Sequence, residues 1–164
     1  MQKNFFIHDF TSDDKWEVAY FSQALAGVSG DFYDFYTSDT KSELKGLGIF
    51  DVSGHGLASG LVTMLVKNII NQEFIKGKNK KLKDIVSRIN ERVLNEKGNI
   101  ENYLTGILCR IDSDSIELVN AGHPAPLLYN NNTKTISELN YKTETRCGVI
   151  GILGLPAIFD SISI

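Results

Sequence analysis

Between Asp51 and Leu57 the hydrophobic pattern changes period, and that change limits what this chain can become. Before it, Asp31 to Tyr36 is aromatic and extended. Leu44 to Val52 returns as a second apolar strand across the polar loop Thr37 to Ser42. After it, Leu57, Leu61, Met64, Leu65, Asn68 and Ile69 fall near one helical face, in a run reaching about Phe74. A second helix is carried by Leu82, Ile85, Val86, Ile89 and Val93, spaced i, i+3, i+4, i+7, i+11, with Gly98 placed to end it. The two helices read as an antiparallel pair laid on a sheet. Strands then resume over Tyr103 to Ile111 and Ile116 to Val119. A further hairpin, Pro126 to Tyr129 and Thr133 to Leu139, turns at Asn130-Asn131-Asn132. Trp16 to Ser22 also has strand composition, Ala26 to Gly30 is a turn signal, and Phe159 to Ile164 begins a last strand. Strands and helices come in blocks, which predicts an α+β domain and argues against a doubly wound parallel sheet.

The 164 residues are enough for one domain with its own core, so 1–164 is read as a single, partial domain. No apolar run reaches the roughly 18–20 residues of a membrane span, and the N-terminus lacks the apolar core of a signal peptide. A net charge of −3 leaves no nucleic-acid footprint, and the lysine-rich run Lys76 to Lys83 reads as a solvated connection between the helices. Cys109 and Cys147 lack CxxC spacing and read as reduced thiols of a cytoplasmic protein, Cys109 as plain core.

The chemistry concentrates at two aspartates. Asp31 follows Gly30, whose bare backbone allows close approach, and alternation puts Asp31, Tyr33 and Phe35 on one face and Phe32, Asp34 and Tyr36 on the other. Asp31 is therefore the candidate ligand and Asp34 a structural or solvent-facing group. Asp51 ends the apolar run Leu47 to Phe50, where an unpaired carboxylate is costly and a hard divalent cation would offset that cost. The Val52 carbonyl can turn toward the same ion. The alternative for Asp51 is a helix cap, a job Ser53 could do equally well. Gly54-His55-Gly56 opens the first helix, whose free N–H groups favour phosphate. His55 is placed to bind phosphate or to donate a proton to a leaving oxygen, or else to cap the helix or face water. Gly54 to Gly60 is only an imperfect GxGxxG, so a dinucleotide site is not expected. In Asn120-Ala121-Gly122-His123-Pro124-Ala125-Pro126, a rigid turn, His123 reads as a structural hydrogen-bonding residue.

At Gly30-Asp31-Phe32-Tyr33-Asp34, Asp51-Val52-Ser53-Gly54-His55-Gly56 and Ala121-Gly122-His123-Pro124-Ala125-Pro126 the chain resembles the SpoIIE/RsbU-type bacterial branch of the PPM-type, metal-dependent serine/threonine protein phosphatases. The three motifs stand in that family's order, and the resemblance runs from about Trp16 to the end. It implies an αββα sandwich of two antiparallel sheets flanked by helices, with two Mn²⁺ or Mg²⁺ ions between the sheets. It implies that Asp31, Asp51 and the Val52 carbonyl are metal ligands, Asp51 bridging, and that a metal-held water attacks phosphorus in line. The implied substrate is a phosphorylated STAS-domain anti-sigma-factor antagonist, and such domains often follow sensor modules.

The family's further metal aspartates, one in a Thr-Asp-Gly motif, have no counterpart here, since Asp160 lacks that context. The expectation is a sandwich incomplete at its C-terminus, a weak second ion and little turnover by this piece alone. His55 is not at the position of the acid histidine of eukaryotic relatives. The competing reading is a non-catalytic regulatory or docking module that retains remnants of the site. A third is a nucleotide-binding regulator using Gly54 to Gly60. An exposed sheet edge could also pair two copies as a homodimer.

Overall fold

The computed structural model describes residues 12–22, 29–38, 40, 43–139, 148–154 and 157–164. Strands β1 (Asp31–Thr37) and β2 (Leu44–Val52) form the hairpin, followed by α1 (Gly56–Lys76) and α2 (Leu82–Glu96). Strands β3 (Leu104–Ile111), β4 (Ile116–Ala121), β5 (Leu127–Asn130), β6 (Thr135–Glu138) and β7 (Ile162–Ser163) complete the order. One antiparallel sheet runs β1-β2-β3-β4-β7, and β5 and β6 make a separate two-stranded antiparallel sheet. The α+β expectation and both hairpins hold.

The helices cover one face of the larger sheet. Phe32, Tyr36, Phe50, Val52, Leu104, Leu108 and Val119 from the strands pack with Val62, Val66, Ile69, Ile70, Ile85, Val86, Ile89 and Val93 from the helices. Burying such side chains at about 25 cal/mol per Å² is the main term holding the layers together. The other face carries a smaller cluster, Phe35, Leu44 and Ile111, with Trp16, Val18, Tyr33, Leu47 and Ile116 against it.

Two expectations are corrected. Trp16 to Ser22 is not a regular strand, because its one pairing among the described residues is an isolated bridge between Ser12 and Glu17. Trp16 and Val18 contribute apolar surface instead of ladder hydrogen bonds. In α1, Leu57, Leu61 and Met64 of the face read from the sequence point outward, Leu57 73% exposed, while Ile69 of the same face is buried. The helix carries a second apolar set, Val62, Val66, Ile70 and Phe74, and that set together with Ile69 meets the sheet. An all-round apolar pattern leaves the phase of a helix undetermined until it is packed. The α2 stripe is buried as read, and Gly98 follows its C-cap with φ +59°. The turn at Ala26 to Gly30 and the thiol Cys147 lie largely or wholly outside the described residues. Burial pushes the thiol of Cys109, a half-buried residue, up to about 11.

Polar devices fix the helices in place. Arg110 of β3 reaches the Gly77 carbonyl (3.2 Å) and the Lys80 carbonyl, and its guanidinium lies 5.7 Å from the Phe74 ring centre. It thereby closes the C-terminal end of α1 and holds the lysine-rich connection. Glu117 of β4 accepts from the first N–H of α2, Leu82 N, at 3.2 Å. Between the helices, buried Glu73 accepts from Arg88 Nε and Arg92 Nη1, both at 3.1 Å. Burial raises the Glu73 pKa, but the two arginine hydrogen bonds and charges outweigh it, and the net shift is downward. A carboxyl with a lowered folded pKa adds stability above its unfolded value and loses it as pH falls through the folded one. Glu73→Ala is expected to cost about 2 kcal/mol at pH 7. The deficit should shrink below pH 4.5, the unfolded reference, as thermal melts across pH would show.

Candidate metal and phosphate site

Antiparallel register decides the site. Asp31 is the cross-strand partner of Asp51, and Asp51 in turn is the partner of Thr105 on β3. Partners directly opposite project from the same face with Cβ atoms about 4.5–5.5 Å apart. The two carboxylates therefore share the sheet face opposite the helices. Asp34 is on the helix face, buried, with Lys67 Nζ at 3.4 Å, which bears out its structural reading.

The placement of Asp31 begins at Gly30. A Cβ there would lie 2.4 Å from the Val52 carbonyl oxygen and 2.8 Å from Ser59 Oγ. Val52 N–H donates to the Gly30 carbonyl at 3.1 Å, tying the start of β1 to the end of β2. The Asp31 N–H donates to Ser29 Oγ, and the Ser29 carbonyl accepts from Thr63 Oγ1 of α1. The Val52 carbonyl accepts from Ser59 Oγ at 3.4 Å. Ser53 does not cap α1. Its Oγ accepts from Tyr103 N–H at 2.9 Å, and its carbonyl accepts from Asn102 Nδ2. The N-cap is His55, extended and without a side-chain capping bond. Gly54 (φ +88°) and Gly56 (φ +80°) flank it in the left-handed region that glycine tolerates. This double turn sends the chain from β2 straight into α1, so the first-turn N–H groups follow directly on Asp51.

Burial is the largest cause of a raised Asp31 pKa, the neighbouring Asp51 charge comes next, and the two carboxyls are close enough to share a proton. A carboxylate pair set side by side calls for a proton or a cation between its members. Mg²⁺ in particular is held by one or two carboxylates and keeps several waters, so this donor set fits a hard divalent ion. Among the described residues no group of three or more His, Cys, Asp and Glu side chains is arranged to hold a metal. The pair supplies two ligands only.

A group whose folded pKa is raised adds stability below its unfolded value and gives it up as pH rises through the folded one. In metal-free buffer Asp31→Asn should thus melt above the parent at pH 7, and the gap should close toward pH 4. A pH-independent gap would contradict the pairing.

Thr105 leads to His123, whose Nδ1 lies 3.0 Å from Thr105 Oγ1. Asn120 Oδ1 accepts from His123 N–H and Asn120 Nδ2 donates to the His123 carbonyl, both at 2.8 Å. The hydrogen bonding of His123 across its turn is as expected from the sequence. Its proximity to the carboxylates, and Thr105 itself, were not foreseen, because neither follows from spacing along the chain.

Comparison with solved structures gives the class of fold. The SiaA PP2C domain of Pseudomonas aeruginosa superposes with a TM-score of 0.64 at 18% identity, covering 84% of this chain and 51% of that one. The RsbU and RsbW domains of a Mycobacterium tuberculosis protein give 0.61 at 18% identity, covering 87% and 37%. The fold is that of PP2C-type domains. At the level of sequence, the family described as Stage II sporulation protein E (SpoIIE) matches residues 44–160, and the chain belongs to that family. Phosphoserine phosphatase RsbP of Bacillus subtilis is 30% identical over 139 residues, 82% of this chain and 33% of RsbP, so the chain spans about a third of that relative's length. The family match begins after Asp31, whose assignment rests on its register with Asp51. No helix among the described residues is long and apolar enough to cross a membrane.

Proposed function

We propose that this chain carries the Asp31–Asp51 half of the active site of a metal-dependent serine/threonine protein phosphatase. The proposed substrate is a signalling protein, a phosphorylated STAS-domain anti-sigma-factor antagonist. The observation that supports it is the cross-strand pairing of the two carboxylates on the sheet face opposite the helices. Asp31 and Asp51 would hold Mn²⁺ or Mg²⁺, two ions in a complete site, and the Val52 carbonyl would add the lone pair that Ser59 leaves free. Such ions supply positive charge against phosphoryl oxygens and acidify bound water. The N–H groups after Gly54 and Gly56 would receive phosphate at the positive end of α1. His55, exposed and uncapped, would serve as proton donor to the leaving oxygen. Among the described residues β1 and β7 are the sheet edges, and a homodimer would form along one of them.

The test is phosphate release by the whole gene product from a phosphorylated STAS domain, with Mn²⁺ and with EDTA. Release that needs the cation, with little from the 164 residues alone, supports the proposal; release indifferent to EDTA refutes it. The docking-module reading draws on the two-ligand donor set among the described residues. It predicts a folded whole protein that binds the STAS partner and releases no phosphate.

A further inference from the structure

Four side chains form a row across the face opposite the helices. Register sets Asp31, Asp51 and Thr105 side by side, and Thr105 Oγ1 passes the row on to His123 Nδ1. The first two carry negative charge and the metal reading above. The last two are neutral or positive hydrogen-bonding groups at the edge of that charge.

His123 is held from three sides. Asn120, itself 8% exposed, clamps the His123 backbone through both its amide nitrogen and its oxygen and also reaches the Pro124 carbonyl at 3.5 Å. Gly122 adopts φ +72°, and a Cβ there would meet Val149 Cγ2 at 2.9 Å, so the turn admits only glycine in this form. A parallel bridge between Gly106 and Gly122 sets the turn beside β3. Thr105, directly opposite Asp51, places the ring at the end of the carboxylate row.

The Thr105 hydroxyl can donate to Nδ1 or accept from it. When the Thr105 hydroxyl donates to Nδ1, the hydrogen of a neutral imidazole sits on Nε2. Among the described residues Nε2 has no hydrogen-bond partner. A half-buried N–H at the rim of a carboxylate pair is unsuited to a cation and complementary to the oxygens of a phosphate drawn in by one.

We propose that His123, positioned by Thr105 and Asn120, contacts the phosphate group of the substrate by donating its Nε2–H to a non-bridging phosphoryl oxygen. This rests on the metal-site reading of Asp31 and Asp51. No bond is made or broken at His123: it binds, and its loss weakens capture of phosphate.

The experiment uses the 164-residue chain with Mg²⁺ and orthophosphate as probes. Long-range ¹H–¹⁵N spectra follow the imidazole nitrogens, with His123→Gln assigning the signal. His123 Nε2 should move when orthophosphate is added with Mg²⁺ present, and stay still in Asp51→Asn. His123→Ala should weaken orthophosphate about tenfold, as loss of one charge-assisted hydrogen bond does, while Mg²⁺ affinity stays within about twofold. His123→Gln should recover part of the loss, since its amide N–H reaches near the Nε2 position. Thr105→Val should act in the same direction more weakly. Mg²⁺ that binds while His123 stays silent to phosphate overturns this proposal alone. A His123→Ala chain that loses Mg²⁺ as Asp51→Asn does overturns it in favour of a ligand role. Failure of Mg²⁺ to perturb Asp31 and Asp51 at all removes the metal reading and this proposal with it.

Discussion

Replacing Asp51 by Asn is expected to cut phosphate release by the whole gene product at least about a hundredfold while making the metal-free chain slightly more stable. Loss of outer-shell partners alone costs metal sites about 10–100-fold, and a ligand shared with the cation costs more. The stability change has the opposite sign for the same reason. Without a cation, Asp51 sits beside Asp31 and raises its pKa, so removing one charge relieves a repulsion. Both groups are exposed and screened, so the gain is small, about 1–2 °C in Tm. Asp34→Asn makes the contrast. It weakens the partnership with Lys67 on the helix face, 3.4 Å away, so it should lower Tm and spare activity per folded molecule. Activity assays paired with melts separate these outcomes. An Asp51→Asn protein that keeps its turnover would remove Asp51 from the site.

Gly30→Ala is expected to damage the fold beside the site strongly. Its Cβ would stand 2.4 Å from the Val52 carbonyl oxygen, a backbone atom that cannot rotate away. The bond from Val52 N–H to the Gly30 carbonyl joins the same two residues, so relief means parting the ends of β1 and β2. Forced overpacking of this kind costs about 1–3 kcal/mol, and losing the bond adds about 1. Denaturant melts should show that loss, together with weaker Mn²⁺ binding as Asp31 shifts. Gly56→Ala is the control. It meets nothing within 4 Å, so only its φ of +80° is strained. Its cost should stay near the 1–2 kcal/mol of a left-handed residue with a Cβ.

These two residues also show how far the sequence could be read. The β1–β2 hairpin, the α2 stripe and the β3–β4 meander follow from alternation and from i, i+3, i+4 spacing, and their boundaries came within a few residues. The separation of Asp31 from Asp34 follows from period two alone. Pairing of Asp31 with Asp51 does not, because register depends on the length and geometry of the turn between strands. The resemblance to known phosphatases supplied that link, and cross-strand geometry then gave it a physical basis. Phase failed in α1, where Leu57, Leu61 and Met64 compete with Val62, Val66 and Ile70 for the same sheet. Ser53 looked like a cap because the sequence cannot show that Tyr103 N–H takes its oxygen. His123 lies 92 residues from Asp31 along the chain. The β1–β2, β2–β3 and β3–β4 pairings, with the turn after β4, bring the two near each other.

Whether Asp31 and Asp51 together hold a cation is decided by calorimetric titration of Mn²⁺ into the 164-residue chain, beside its Asp31→Asn and Asp51→Asn variants. One saturable site is expected in the parent and none in either variant, with melts certifying that each variant is folded. Binding of equal strength in the parent and in both folded variants would contradict it.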